Sequence, residues 1–151
     1  MGPVLTTLLF GSSEGRPYLS VLFGGSYTTL MVCGNSIPED QLQTVPGNVV
    51  CLHYGFARDS GFTRPLMSYQ NAGANIGICT GTGAWSNLAG APNLMLENVS
   101  SGHASLAKLR GGVSLVAHWS SDPAFTHSVF AWPGFLAAAG LAWNSATPTV
   151  G

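Results

Sequence analysis

The chain has 151 residues, of which five are Lys or Arg and six Asp or Glu; charged residues make up only 7%, with a formal net charge of −1, against about 25% in an ordinary soluble domain. No basic cluster runs longer than Lys108-Leu109-Arg110. Counterion release along a phosphate backbone needs several cations in a row, so the composition argues against direct nucleic-acid binding and against a basic packaging arm. Gly, Ser, Thr and Asn stand where charge is missing. Uncharged polar groups cost far less to desolvate than ions, which predicts a surface covered by partner proteins or one exposed outside the cell.

The length suits one domain over residues 1–151. In chain order, Thr6–Ser12, Ser20–Ser26 and Thr28–Gly34 form a weak repeat, each a short β-branched and apolar run closed by Gly or Ser. That pattern reads as strand and turn, and the short spacing predicts antiparallel neighbours. The runs are nearly continuous rather than alternating, which predicts strands covered on both faces. Asn35–Gly47 reads as a loop or one helical turn, Val49–Tyr54 as a strand and Ala57–Gly73, with Pro65, as a long loop. Ile76–Thr80, Leu94–Val99, Gly112–Trp119 and Ser128–Trp132 read as further strands. Ser101–Leu109 suits a turn and a half of helix, and Phe135–Trp143 is open between helix and strand. Eight or so short segments parted by Gly, Pro and Asn predict a mainly β fold. The expected form is an antiparallel β-sandwich or barrel with one or two short helices at most.

The N-terminal Met1–Phe10 lacks the cations of a signal peptide. The apolar stretch from Val129 to Trp143 falls short of the roughly 20 residues that a membrane-spanning helix needs, and Pro133-Gly134 interrupts it. A buried core element is expected there. Cys33, Cys51 and Cys79 are too few for a disulfide framework and have no CxxC spacing, so three reduced, buried thiols are expected. Asn98-Val99-Ser100 fits a glycosylation acceptor, a triplet common by chance.

Gly11-Ser12-Ser13-Glu14-Gly15 matches G-x-S-x-G, but that chemistry needs Ser13 on a strand-to-helix turn, and Arg16-Pro17 leads into another strand-like run. His118, Asp122 and His127 would approach one another only if Gly112–Trp119 and Ser128–Trp132 paired as a hairpin. Leu52-His53-Tyr54-Gly55 with Cys79 is loosely similar to cysteine hydrolases in which a strand His activates a distant thiol. Nothing around Cys79 supplies a helix N-terminus to lower its pKa. No catalytic, cofactor or metal residues are assigned on this basis. Trp85, Trp119, Trp132 and Trp143 suit either a core and interface or a sugar-stacking platform. The expectation is a non-enzymatic structural subunit of a larger symmetric assembly, most simply a viral or phage particle as coat, head-decoration or tail component. Its partners would be itself and neighbouring subunits, with no cofactor and no membrane. The alternatives are an extracellular lectin-like carbohydrate-binding sandwich and a small hydrolase using Cys79 and His53.

Overall fold

The computed structural model describes residues 9–13, 16–20, 30–58, 60–85, 89–119 and 128–144. Strands β1 (Leu9–Ser13) and β2 (Arg16–Ser20) pair as an antiparallel hairpin. The body of the fold follows from β3 (Leu30–Cys33), β4 (Val49–Tyr54), β5 (Asn75–Gly81) and β6 (Val113–Ala117). They form one sheet in the order β3-β4-β5-β6, with every pair parallel. Helices α1 (Thr63–Asn71) and α2 (Pro92–Lys108) make the second and third crossovers, and 3-10 segments at Gly34–Ser36 and Glu39–Thr44 occupy the first. A last helix, α3 (Trp132–Trp143), follows the 3-10 turn Ser128–Ala131. The fold is therefore mixed α/β and about half helical, which corrects the expected antiparallel β-sandwich or barrel.

The physical reason lies in the strands themselves. Continuous apolar runs such as Val49–Tyr54 suit strands inside a parallel sheet. The segments between them are long enough for crossovers, which parallel neighbours require. Each crossover steps one strand in the same direction, so crossovers of one hand stack on one face. That face carries Leu30, Val32, Val49, Cys51, Ile76 and Ile78 against Leu42, Phe62, Leu66, Tyr69 and Leu106 in one buried cluster. A second cluster joins Met95 and Val99 of α2 to Ala138 and Leu141 of α3, with Val116 of β6 packed on it.

Helices α1 and α2 break the expected assignment for identifiable reasons. Ala57–Gly73 is not all loop, because Pro65 sits in the first turn of α1, where a missing N–H costs no helical bond; Phe62, Leu66 and Tyr69 then bury one stripe. Leu94–Val99 is not a strand but the start of α2, whose inward stripe runs Met95, Asn98/Val99, Gly102/His103 and Leu106. Three of those positions are polar or lack a side chain, which hides the helical period from a hydrophobicity reading. Gly102 is required by distance: a Cβ there would lie 2.8 Å from Thr80 Cγ2 and 2.9 Å from Ile78 Cδ1. Ser128–Trp132 is a 3-10 turn entering α3, and Phe135–Trp143 resolves as helix.

Thr80, fully buried on β5 beneath α2, leaves its Oγ1 without a hydrogen-bond partner among the described residues. A buried hydroxyl in that state costs about 1–3 kcal/mol, and its methyl already supplies the packing. Thr80→Val is therefore expected to raise the urea midpoint, by about 1 kcal/mol or more of stability; a midpoint that falls would show that the hydroxyl is satisfied in solution.

Candidate functional site

In parallel α/β sheets ligands meet the carboxyl ends of the strands. Here those ends carry Cys33, Tyr54, Gly81 and Ala117, with the loops that follow them. Asn35 fastens the first loop to β4: its Nδ2 donates to Tyr54 O at 2.9 Å, and the Tyr54 N–H donates to Asn35 Oδ1 at 2.8 Å. The loop after β4 is held from the helix layer by Asn98. Gly81 N–H donates to its Oδ1 at 3.1 Å, while Nδ2 donates to Gly55 O (2.9 Å) and Ala57 O (2.7 Å). Asn98 is almost wholly buried, so the folded chain does not present it as a glycosylation acceptor.

This scaffold gathers four aromatic rings. Phe56 stacks on Tyr54 with centroids 5.9 Å apart and meets Trp85 and Trp119 edge-on at 5.3 and 6.2 Å. Tyr54 and Trp119 are exposed. Behind them, Thr82 Oγ1 and His118 Nδ1 lie 2.9 Å apart. Trp85 and Trp119 were visible in the sequence as aromatics; their convergence with Phe56 depends on the parallel order of β4, β5 and β6.

The catalytic possibilities separate rather than converge. His53 pairs with Ile78 in the sheet register and Cys79 with Tyr54. His53 therefore points to the helix-covered face and Cys79 to the other, and no thiol–imidazole contact forms. Burial, with Cys33 adding to it, pushes the Cys79 thiol up, away from the reactive thiolate. Ser13 ends β1 and is followed by β2, not by a helix. His118 ends the sheet beside Thr82, while Asp122 and His127 lie outside the described residues, as do Glu14 and Gly15. Among the described residues no three His, Cys, Asp or Glu side chains converge as a metal site, and no helix is long and apolar enough to cross a membrane.

One contact that sequence reading missed joins α2 to β6. His103 Nδ1 lies 2.9 Å from Val99 O. A carbonyl only accepts, so Nδ1 carries the proton, and Ser114 Oγ lies 3.0 Å from Nε2. The pair borders a cavity of about 460 Å³ that Arg110 and Leu141 also line. The neighbouring Gly111 N–H is already bonded to Leu106 O at 2.8 Å. What the contact does is satisfy a buried imidazole and fasten α2 to β6.

The largest unsatisfied feature is apolar. Helix α3, WPGFLAAAGLAW, carries no charged, hydroxyl or amide side chain. Ala131, Gly134, Ala138 and Leu141 face inward and are buried; a Cβ on Gly134 would lie 2.8 Å from Thr82 Cα. The opposite side presents Val129, Trp132, Leu136 and Trp143 at 62, 61, 68 and 94% exposure, with exposed Ala139 among them. A helix that is apolar all round is ordinarily buried all round.

His53 gives the site a pH signature. Burial lowers its pKa, a backbone hydrogen bond to Ser60 pulling the other way, and the Tyr69 hydroxyl lies 3.3 Å from Nδ1. Tyr69, pushed up to about 12 mainly by burial, keeps its proton. The unfolded ring, near 6.5, then binds a proton more readily than the folded one. Stability contributed by neutral His53 is full above about pH 6.5 and lost as pH falls through it. The urea midpoint of the wild type should fall between pH 7.5 and 5.5, and His53→Gln should flatten that slope; an equal slope in both proteins would assign it elsewhere.

Compared with family models, with curated proteins and with solved structures, the chain matches none; its function is read from its own geometry.

Proposed function

We propose that the chain is a structural subunit that works through protein–protein contacts in a symmetric assembly of its own copies. The observation that carries this reading is the outer face of α3, a row of large apolar side chains left in water on a chain with almost no charge. Contiguous apolar patches beyond a few hundred Å² are rare on monomers and mark interaction sites. A low-charge surface adds to the reading, because burying uncharged polar groups around such a patch costs little. Among the described residues the ion pair Arg58–Glu97, at 2.8 Å and largely exposed, is the kind of contact that contributes little to stability. The viral or phage form of the proposal rests on the low charge and the Gly-, Ser- and Thr-rich turns and no longer on a β-sandwich, which the parallel sheet replaces; the apolar face supports assembly without specifying the particle.

A second reading, carbohydrate binding, is favoured by one observation, the cluster of Tyr54, Phe56, Trp85 and Trp119 at the carboxyl edge of the sheet. Aromatic faces with one wet side suit apolar sugar faces. On this reading, soluble oligosaccharides at millimolar concentration shift tryptophan fluorescence in the wild type and not in Trp119→Ala; an unchanged spectrum rejects it.

The assembly reading is tested by light scattering of the purified chain over a wide concentration range. A mass at or above twice 15.6 kDa that grows with concentration is expected. A monodisperse monomer at the highest concentration would overturn it.

A further inference from the structure

Two copies of the chain pair through α3, we propose, with the helices antiparallel across a two-fold axis; the inference rests on the assembly reading and names its contact. Val129, Trp132, Leu136, Ala139 and Trp143 recur at spacings of three and four. That is the seam of a helix packed on another helix. The inward row, Ala131, Gly134, Ala138 and Leu141, repeats at the same spacing and is already used against α2 and β6. The outer row is therefore a second complete seam without a counterpart among the described residues.

The size of the row points to a second copy. With about 150–250 Å² per aromatic side chain, the exposed parts of Val129, Trp132, Phe135, Leu136 and Trp143 amount to roughly 650 Å² per copy. A standard interface buries about 800 Å² per partner, so a self-paired α3 with its polar margin reaches the size of a stable dimer. A two-fold contact must also be self-complementary, each position meeting its own counterpart in reverse. Antiparallel helices centred between Ala137 and Ala138 do this. Trp132 meets the partner's Trp143, and Leu136 meets the partner's Ala139, large against small. A parallel pair would set Leu136 against Leu136 and leave Ala139 facing Ala139 across a gap, which close-packed interfaces avoid. Gly140, exposed and with nothing near its Cβ position, lets the two backbones approach beside that central layer. Antiparallel helices also place opposite dipole ends together. A membrane surface fits less well, since an interfacial helix carries Lys or Arg on its polar face and α3 has no polar face at all.

The test uses the full chain. Sedimentation velocity of the wild type and of Leu136→Asp is compared, with circular dichroism confirming that the variant keeps its fold; position 136 is exposed, so the monomer tolerates the carboxylate. The variant is expected to raise the dimer dissociation constant at least about tenfold, because the carboxylate would be buried on pairing. Register is read by disulfide trapping. A mixture of Leu136→Cys and Ala139→Cys chains should cross-link several-fold faster than either alone, with the wild type as control for its native thiols. Single variants that cross-link as fast as the mixture overturn the antiparallel register. Oligomers whose mass ignores Leu136→Asp overturn the α3 contact and leave the assembly reading standing. A monomer that binds neutral phosphatidylcholine vesicles through the same tryptophans overturns both.

Discussion

Helix α2 rests on β5 at van der Waals contact because position 102 has no side chain, and most of the structure hangs from that approach. With the backbone of α2 close to Ile78 and Thr80, Leu106 reaches the first core cluster while Met95 and Val99 open toward α3. The same seating brings Asn98 within reach of Gly81, Gly55 and Ala57 and His103 within reach of Ser114. One helix thus joins both clusters, the loop after β4 and the edge strand β6. A side chain larger than hydrogen at 102 would lift α2 and loosen all four attachments together, since packed interiors transmit such displacements rather than absorb them.

Scarcity of charge shapes how the buried polar groups are satisfied. In place of ion pairs the fold uses neutral partners: a carboxamide for three backbone groups, a carbonyl and a hydroxyl for an imidazole, a phenol beside a second imidazole. Neutral hydrogen bonds avoid the desolvation penalty that makes buried ion pairs uncertain contributors to stability. The same economy applies outside, where few charges oppose close approach of another protein and α3 offers a row of side chains that water disfavours. Interior and surface are two consequences of one composition.

The strands were largely legible in the sequence, and the helices were not. Val49–Tyr54 has the same bounds in both, and Ile76–Thr80 and Gly112–Trp119 lie within a few residues of β5 and β6. Two covered faces were indicated only for the runs before Asn35, of which Thr28–Gly34 contains β3. The antiparallel expectation prevailed because α1 read as loop and the first half of α2 as strand, only Ser101–Leu109 reading as helix. Gly102, His103 and Asn98 occupy inward positions of α2 without being hydrophobic, and Pro65 reads as a breaker although it stands in a first turn. Of the candidate site, the row on α3 is present in the sequence as a spacing, but α3 carries two such rows. Only packing against Met95, Val99 and Val116 shows which is spent and which is left.

The geometry of α3 also limits what it can build. An isologous two-fold contact uses the same patch on both copies and closes on itself, so α3 alone yields a pair and nothing larger. Growth beyond a pair requires a second, different surface. The sheet supplies a candidate on the face away from the helices. There Tyr54 and Leu115 are exposed, although Val50 and Cys79 on the same face are buried. Trp119, at the end of β6, extends that exposed apolar surface to the carboxyl edge. The aromatic cluster that favours a sugar platform is then in competition with assembly for the same rings. A chain assembled through this face would withdraw Tyr54 and Trp119 from solvent, whereas a chain paired only through α3 would keep them open.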